Sequence, residues 1–274
     1  DEHASLFETE NSDRAFEEEG LFTGFGTAPT KGEGASVQYD QAQEGYTARY
    51  THETVALAFA ITEEAMEDNL YDTFSKLRAR GLARAMANTK QVKASDVFNN
   101  GFSSSYLGGD GVALFSSSHP TLTGNQSNII GSSDLSESSL ETGLIAISKV
   151  KDDRGILIGA QAVSLHVPTD LVFVADQILN STMSTTIGVN PTDTSVGATN
   201  LNDINSIRNQ GMVPKGFFVN RRFTDTNNWF LKTDVPNGTK MFVRAALATK
   251  MEEDFDTGNL RFKARERYSF GWSD

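Results

Sequence analysis

The chain has 274 residues, 38% of them hydrophobic and 22% charged, with 36 acidic against 24 basic side chains and a net charge of -12. That balance supports a folded chain of one large domain or two lobes. It disfavours a nucleic-acid reader, which neutralises phosphates with Lys and Arg. The absence of Cys excludes disulfides, iron–sulfur clusters, thiolate zinc sites and Cys nucleophiles, and no apolar run is long enough to span a membrane.

The start, Asp1-Glu2-His3-Ala4, has neither an initiator Met nor a signal peptide's basic and apolar segments, so a trimmed or processed N-terminus is expected. Residues 1–34 mix Glu17-Glu18-Glu19 with Gly20, Gly24, Gly26, Pro29, Gly32 and Gly34, without a sustained period, which predicts an extended arm. Its scattered Leu6, Phe7, Phe16, Leu21, Phe22 and Phe25 are too many for a solvated tail. They predict docking, either on the chain's own body or on a neighbour. Ser36–Tyr39 and Tyr46–Thr51 alternate around the polar turn Asp40 to Gly45, which predicts a protruding hairpin. Its second strand continues through Val55, Leu57, Phe59 and Ile61.

Thr62 is a good N-cap, followed by Glu63, Glu64, Glu67 and Asp68; Met66, Leu70, Phe74 and Leu77 then recur at helical spacing before Lys76, Arg78, Arg80 and Arg84. A helix is predicted from about Thr62 to Asn88, with a possible continuation through Val97-Phe98, and its length implies a structural spine. Asn99-Asn100-Gly101 ends it, Gly108-Gly109-Asp110-Gly111 is a second turn cluster, and Ser116 to Ser139 reads as an exposed loop. Asp134-Leu135-Ser136 starts a second helix with Leu140, Leu144, Ile145 and Ile147 on its apolar side. A strand-like stretch, Ile156 to Val167, leads through Pro168 into a short helix, Thr169 to Leu179, and then a polar loop, Asn180 to Asn200. Short strands follow at Phe217–Val219 and Trp229–Leu231. Lys240 to Lys250 and Leu260 to Trp272 form a long hairpin joined by an acidic connection. On the last strand Arg261, Lys263, Arg265 and Arg267 share one side, with Phe262, Ala264, Glu266 and Tyr268 on the other.

Motifs for chemistry fail one after another. His3, His52, His119 and His166 lie far apart, and His52-Glu53 lacks the second His of a zinc protease motif. No Gly-x-Ser-x-Gly elbow exists. Asp152-Asp153 and Asp254 with Asp256 are the best carboxylate pairs; the latter resembles part of a calcium loop but lacks its third ligand position and distal Glu. The Gly clusters at 24–26 and 108–111 are not followed by Lys-Ser/Thr, so they read as turns. Arg221-Arg222 is a weak signal for nucleic acid and a better one for subunit salt bridges. No catalytic residue, metal or cofactor is expected.

The order of elements resembles the tailed-phage capsid fold. The stretches that carry the likeness are Val55 to Glu67, Asp68-Asn69-Leu70 and Asn100-Gly101…Gly109-Asp110-Gly111. In the C-terminal half, Asp152-Asp153-Arg154-Gly155, Val167-Pro168-Thr169-Asp170-Leu171, Thr233 to Gly238 and Asp256-Thr257-Gly258-Asn259 are similar to Mu-like prophage major head subunits. So is the terminal Lys263 to Trp272. The resemblance implies an α+β subunit of the Hong Kong ninety-seven type. Its parts would be an N-terminal arm (1–34), an extended β-hairpin loop (35–61), a peripheral domain with a long spine helix (62–132 and 239–274) and an axial domain (133–238).

It further implies self-assembly into hexamers and pentamers of a virion shell that encloses double-stranded DNA, built in the bacterial cytoplasm. Portal, scaffold and cement proteins would be its partners, and no membrane would be involved. Contacts between subunits are expected at Phe7, Phe16, Phe22, Phe25, Tyr39, Tyr46, Arg261, Lys263, Arg265 and Arg267. Some members of the fold weld neighbours by a Lys–Asn isopeptide bond from a Lys in the extended loop. No Lys lies between Ser36 and Thr54 here, so no such cross-link is expected. An encapsulin-like or gene-transfer-agent shell is the alternative. An acidic glycan-binding or hydrolytic protein using Asp152, Asp153, Asp254 and Asp256 would instead be a monomer with a cleft.

Overall fold

The computed structural model describes residues 2–68, 71–183 and 204–273, with the backbone alone at 66 and 71–76. Most of the loop expected over Asn180 to Asn200 lies outside them, as do Leu70 and the side chains of Met66 and Phe74.

The first residues are not a featureless arm. A one-turn helix α1 (His3–Leu6) leads into β1 (Glu8–Asn11), which runs parallel to the start of the C-terminal hairpin. β2 (Phe16–Phe22) then pairs antiparallel with β3 (Glu44–Thr51). The strand opposite β3 is therefore β2; Ser36–Tyr39 lies within the connecting loop 23–43 and is exposed. Three successive glutamates hide the strand character of β2 in the sequence. Across the ladder Glu18 faces Arg49 at 3.4 Å, and from the neighbouring sheet Lys240 meets Glu19. Such cross-strand charge pairs stabilise a segment that lacks apolar alternation.

After His52 the chain continues as β4 (Glu53–Ile61), then α2 (Glu63–Glu67) and α3 (Tyr71–Asn99). The spine runs to Asn99, the longer of the two expected extents, and its 29 residues give about 44 Å of length. A small hairpin, β5 (His119–Thr121) and β6 (Gly124–Gln126), precedes α4 (Glu137–Ser148). Ser136 caps α4, accepting from the Ser139 N–H while its own N–H donates to the Ser139 hydroxyl.

β7 (Ala162–Val167), α5 (Val172–Asn180), α6 (Ser206–Gln210), β8 (Phe217–Val219) and β9 (Phe230–Thr233) complete this lobe. β7 is central, parallel to β8 and antiparallel to β9. The helices close over it around Leu140, Leu144, Leu165, Val167, Ala175 and Ile178, all buried.

β10 (Thr239–Glu253) and β11 (Leu260–Trp272) form the long hairpin expected, within a sheet of order β1-β10-β11-β4. α3 covers one face of that sheet, where Leu82 and Met86 pack against Ala264, Val55 and Phe59. A second core gathers Leu6, Phe7, Ala94, Phe98, Phe230, Met241 and Tyr268 at the junction of the two lobes. Among the described residues no helix is long and apolar enough to cross a membrane.

Candidate assembly interfaces

The arm docks first on its own chain. Phe7 is 2% exposed, edge-on to Phe98 (5.8 Å) and Phe270 (4.9 Å). Arg221 and Arg222 both bind Glu2, at 3.1 and 2.8 Å, and Lys232 donates to the Leu6 carbonyl at 3.1 Å. Phe7 therefore fills an internal core, and the basic pair clamps the arm.

His52 is the joint between arm, hairpin and return strand. Its Nε2 lies 2.9 Å from Ser12 Oγ and its Nδ1 3.0 Å from Ser269 Oγ, and the Ser12 hydroxyl donates to Glu17 at 2.7 Å. Burial, reinforced by Arg267 nearby, lowers its pKa. The ring is a neutral structural bridge.

The β2–β3 hairpin is seated on glycine. A Cβ on Gly109 would lie 2.8 Å from the Thr47 carbonyl and 2.9 Å from the Ala48 backbone, and one on Gly108 would lie 2.6 Å from the Trp272 indole nitrogen. Asp110 holds that loop: one oxygen accepts from the Val112 N–H at 3.0 Å, the other meets His119 Nδ1 at 2.6 Å. The Gly-Gly-Asp-Gly cluster is thus the bed for β3, a role that its turn chemistry alone did not reveal.

Beyond this seat the hairpin and loop 23–43 present apolar side chains to solvent. Phe22 is 68% exposed, Phe25 66%, Val37 65% and Tyr39 93%; Phe16 is partly shielded by the Arg49 guanidinium, 3.8 Å from its ring centre. Tyr46 is half-buried. Loop 23–43 is tied back by Asp40, which accepts from the Gly26 N–H (2.7 Å) and from Arg154 (2.9 Å). These hydrogen bonds, the backbone ones foremost, lower the Asp40 pKa. Beside this clasp Tyr39, Leu122 and Thr123 line an open concavity of about 590 Å³.

On the return hairpin the sequence alternation holds. Arg261, Lys263 and Arg265 are exposed and Arg267 half-buried, while Ala264, Glu266 and Tyr268 are buried. Glu266 meets Lys90 of α3 at 2.6 Å, an ion pair that locks the spine to the sheet. At the tip Phe255 is wholly exposed.

One member of each carboxylate pair is a turn device. Asp152 accepts from the N–H groups of Arg154 (3.0 Å) and Ile156 (2.7 Å), and Asp254 from the Thr257 hydroxyl (2.6 Å) and from Arg261 (2.5 Å). Among the described residues no group of three His, Asp or Glu side chains is placed to hold a metal ion.

Comparison with known proteins agrees with a building block. No curated protein matches the sequence. In fold the chain is similar to the capsid of a native GTA particle, with 12% identity over 100% of this chain and 86% of that one and a TM-score of 0.56. It is also similar to a Mycobacterium phage Che8 chain, with 12% identity over 98% and 86% and a TM-score of 0.53. A virus-like particle from Pyrococcus furiosus shows 10% identity over 98% and 87%, with a TM-score of 0.52. At such identities only the fold is shared. Residues 45–274 match the family described as phage capsid protein. The chain belongs to the phage capsid protein family and is a structural subunit of a phage head, not an enzyme.

Proposed function

We propose that this subunit assembles into hexamers and pentamers of an icosahedral shell that encloses double-stranded DNA without reading its sequence. Residues 62–132 and 239–274 act as the peripheral domain, 133–238 gather around the axes, and the β2–β3 hairpin with loop 23–43 reaches over the next subunit. Assembly takes place in the bacterial cytoplasm with a scaffold and a portal. Between Ser36 and Thr54 there is no Lys from which to weld a neighbour, although loop 23–43 carries Lys31 nearer its start, so packing, salt bridges or a cement protein supply the strength; a covalent ladder on denaturing gels would contradict this.

The observation that carries the reading is uncovered surface. The chain exposes 17525 Å², against the ~11,600 Å² expected of a compact monomer of 29.8 kDa. The excess, about 5,900 Å², is more than the undescribed residues supply even at the ~160 Å² per residue of an extended chain. It is of the size that obligate interfaces bury, and it includes Phe22, Phe25, Tyr39 and Phe255.

Electron microscopy of the purified chain tests it, with Phe22→Ser/Phe25→Ser as the perturbation. The unassembled variant should unfold within ~0.5 kcal/mol of the parent, because both rings are already in water, while shell yield falls at least tenfold. Normal shells from the variant would refute the role of the hairpin. Particle size and DNA content separate a phage head from an enzyme compartment or gene-transfer particle.

A further inference from the structure

The sheet covered by α3 on one face is bare on the distal half of the other. There Arg261, Lys263 and Arg265 of β11 stand opposite Ala60, Ala58 and Ala56 of β4, and all six residues are exposed. Arg261 is held by Asp254. Lys263, Arg265 and Arg267 make no ion pair among the described residues, and the buried Nε of Arg267 has no partner. Successive cations on the stripe are about 6.8 Å apart, the repeat of alternate residues on a strand. The alanine row beside them lets a partner's backbone approach closely.

The anions that match this stripe are on the same chain but do not reach it. α2 and its last turn present Glu63, Glu64, Glu67 and Asp68, all exposed and without an ion pair among the described residues. α2 sits at the hairpin tip: Glu63 packs on Gly258, and Glu63 and Glu67 line a concavity of about 310 Å³ with Glu253. That leaves Glu64 and Asp68 as a row one helical turn apart, about 6 Å, close to the spacing of the stripe.

We propose that the α2 carboxylates of one copy seat on the basic alanine-floored face of a second copy. The contact joins two different patches, so it propagates from subunit to subunit around a ring and closes where the shell has a rotation axis. It deepens the capsid reading and rests on it. Nucleic acid is the rival occupant of a basic face; the unpaired carboxylate row and the net charge of -12 favour the second copy. Because both patches are solvent-exposed before assembly, the attraction is screened by salt.

The test is a charge-reversal cycle in the full chain, with shells counted by electron microscopy and sedimentation. Lys263→Glu/Arg265→Glu and Glu64→Lys/Asp68→Lys should each lower shell yield about tenfold or more, and the parent should lose yield as salt rises. The four substitutions together should restore yield to within about threefold of the parent. Thermal midpoints of the unassembled subunits should coincide throughout, which excludes misfolding as the cause. Two results overturn the inference: reversals that assemble normally, or a combination no better than its halves. Normal shells from Lys263→Glu/Arg265→Glu that retain less DNA would assign the face to nucleic acid and also overturn it. A parent chain that forms no shell under any condition removes the capsid reading and this contact together; a parent that assembles while the reversals are neutral removes this contact alone.

Discussion

Replacing Lys90 by Met should destabilise the subunit far more than replacing its partner. Glu266 is 1% exposed, and Lys90 is its sole ion-pair partner among the described residues, at 2.6 Å. The other carboxylate oxygen of Glu266 is buried and unpartnered. Lys90→Met therefore strands a buried anion, a change that costs about 3–5 kcal/mol in comparable pairs. It also removes a cation 5.3 Å from the Tyr268 ring, worth ~0.5–1 kcal/mol. The Lys90 side chain keeps 25% exposure, so water screens part of the attraction. The expected total is about 3 kcal/mol.

Glu266→Gln should cost only about 1 kcal/mol, because the freed ammonium can turn towards solvent. Lys90→Met/Glu266→Met should return to within ~1 kcal/mol of the parent, since apolar packing replaces a buried pair almost without loss. Urea unfolding of the unassembled subunit, read at constant m-value, measures all three. A loss below ~1 kcal/mol for Lys90→Met, or a double variant equal to the sum of the singles, would refute the argument. Water would then be reaching Glu266.

Acid should weaken the lobe built on β7 through His166, which is 1% exposed, stacked on Phe218, and has Nε2 3.0 Å from Ser164 Oγ. Burial, with a contribution from Lys232, lowers its pKa to about 4. The folded pKa lies below the unfolded value, so the full stability holds above about pH 6.5 and is lost as pH falls towards 4. The loss runs at about 1.4 kcal/mol per unit, roughly 3 kcal/mol in all. His166→Gln should flatten most of the decline in thermal midpoint, leaving a smaller slope of the same sign from His3 and His52; an unchanged slope would rule this out. Gly109→Ala should lift β3 from its seat, because the atoms in its way are backbone, at a cost of about 1–3 kcal/mol. Faster tryptic cleavage after Arg49 would report it, with Gly24→Ala, which meets nothing within 4 Å, as the neutral control.

The chain's own amino acids determine much of this subunit. The acidic cluster after Thr62, the alternation of β11 and the helix start at Asp134-Leu135-Ser136 are local signals; the acidic cluster folds as its own helix α2, the spine α3 starts at Tyr71, and Leu77 of the expected apolar stripe is 64% exposed. Arg261, Lys263 and Arg265 could be placed on one exposed face because a strand's side chains alternate wherever the strand lies. Apart from the C-terminal hairpin, pairing partners were not legible. β3 alternates in sequence with Ser36–Tyr39, yet it pairs with the glutamate-rich β2, because Arg49 and Lys240 neutralise that strand from residues far along the chain. Nor does the arm's composition separate a core anchor from a surface contact: Phe7 and Phe22 are the same residue in similar surroundings. Only folding brings Phe98 and Phe270 to one of them and leaves the other in water, because burial depends on which distant segments converge there, and that is decided by tertiary structure.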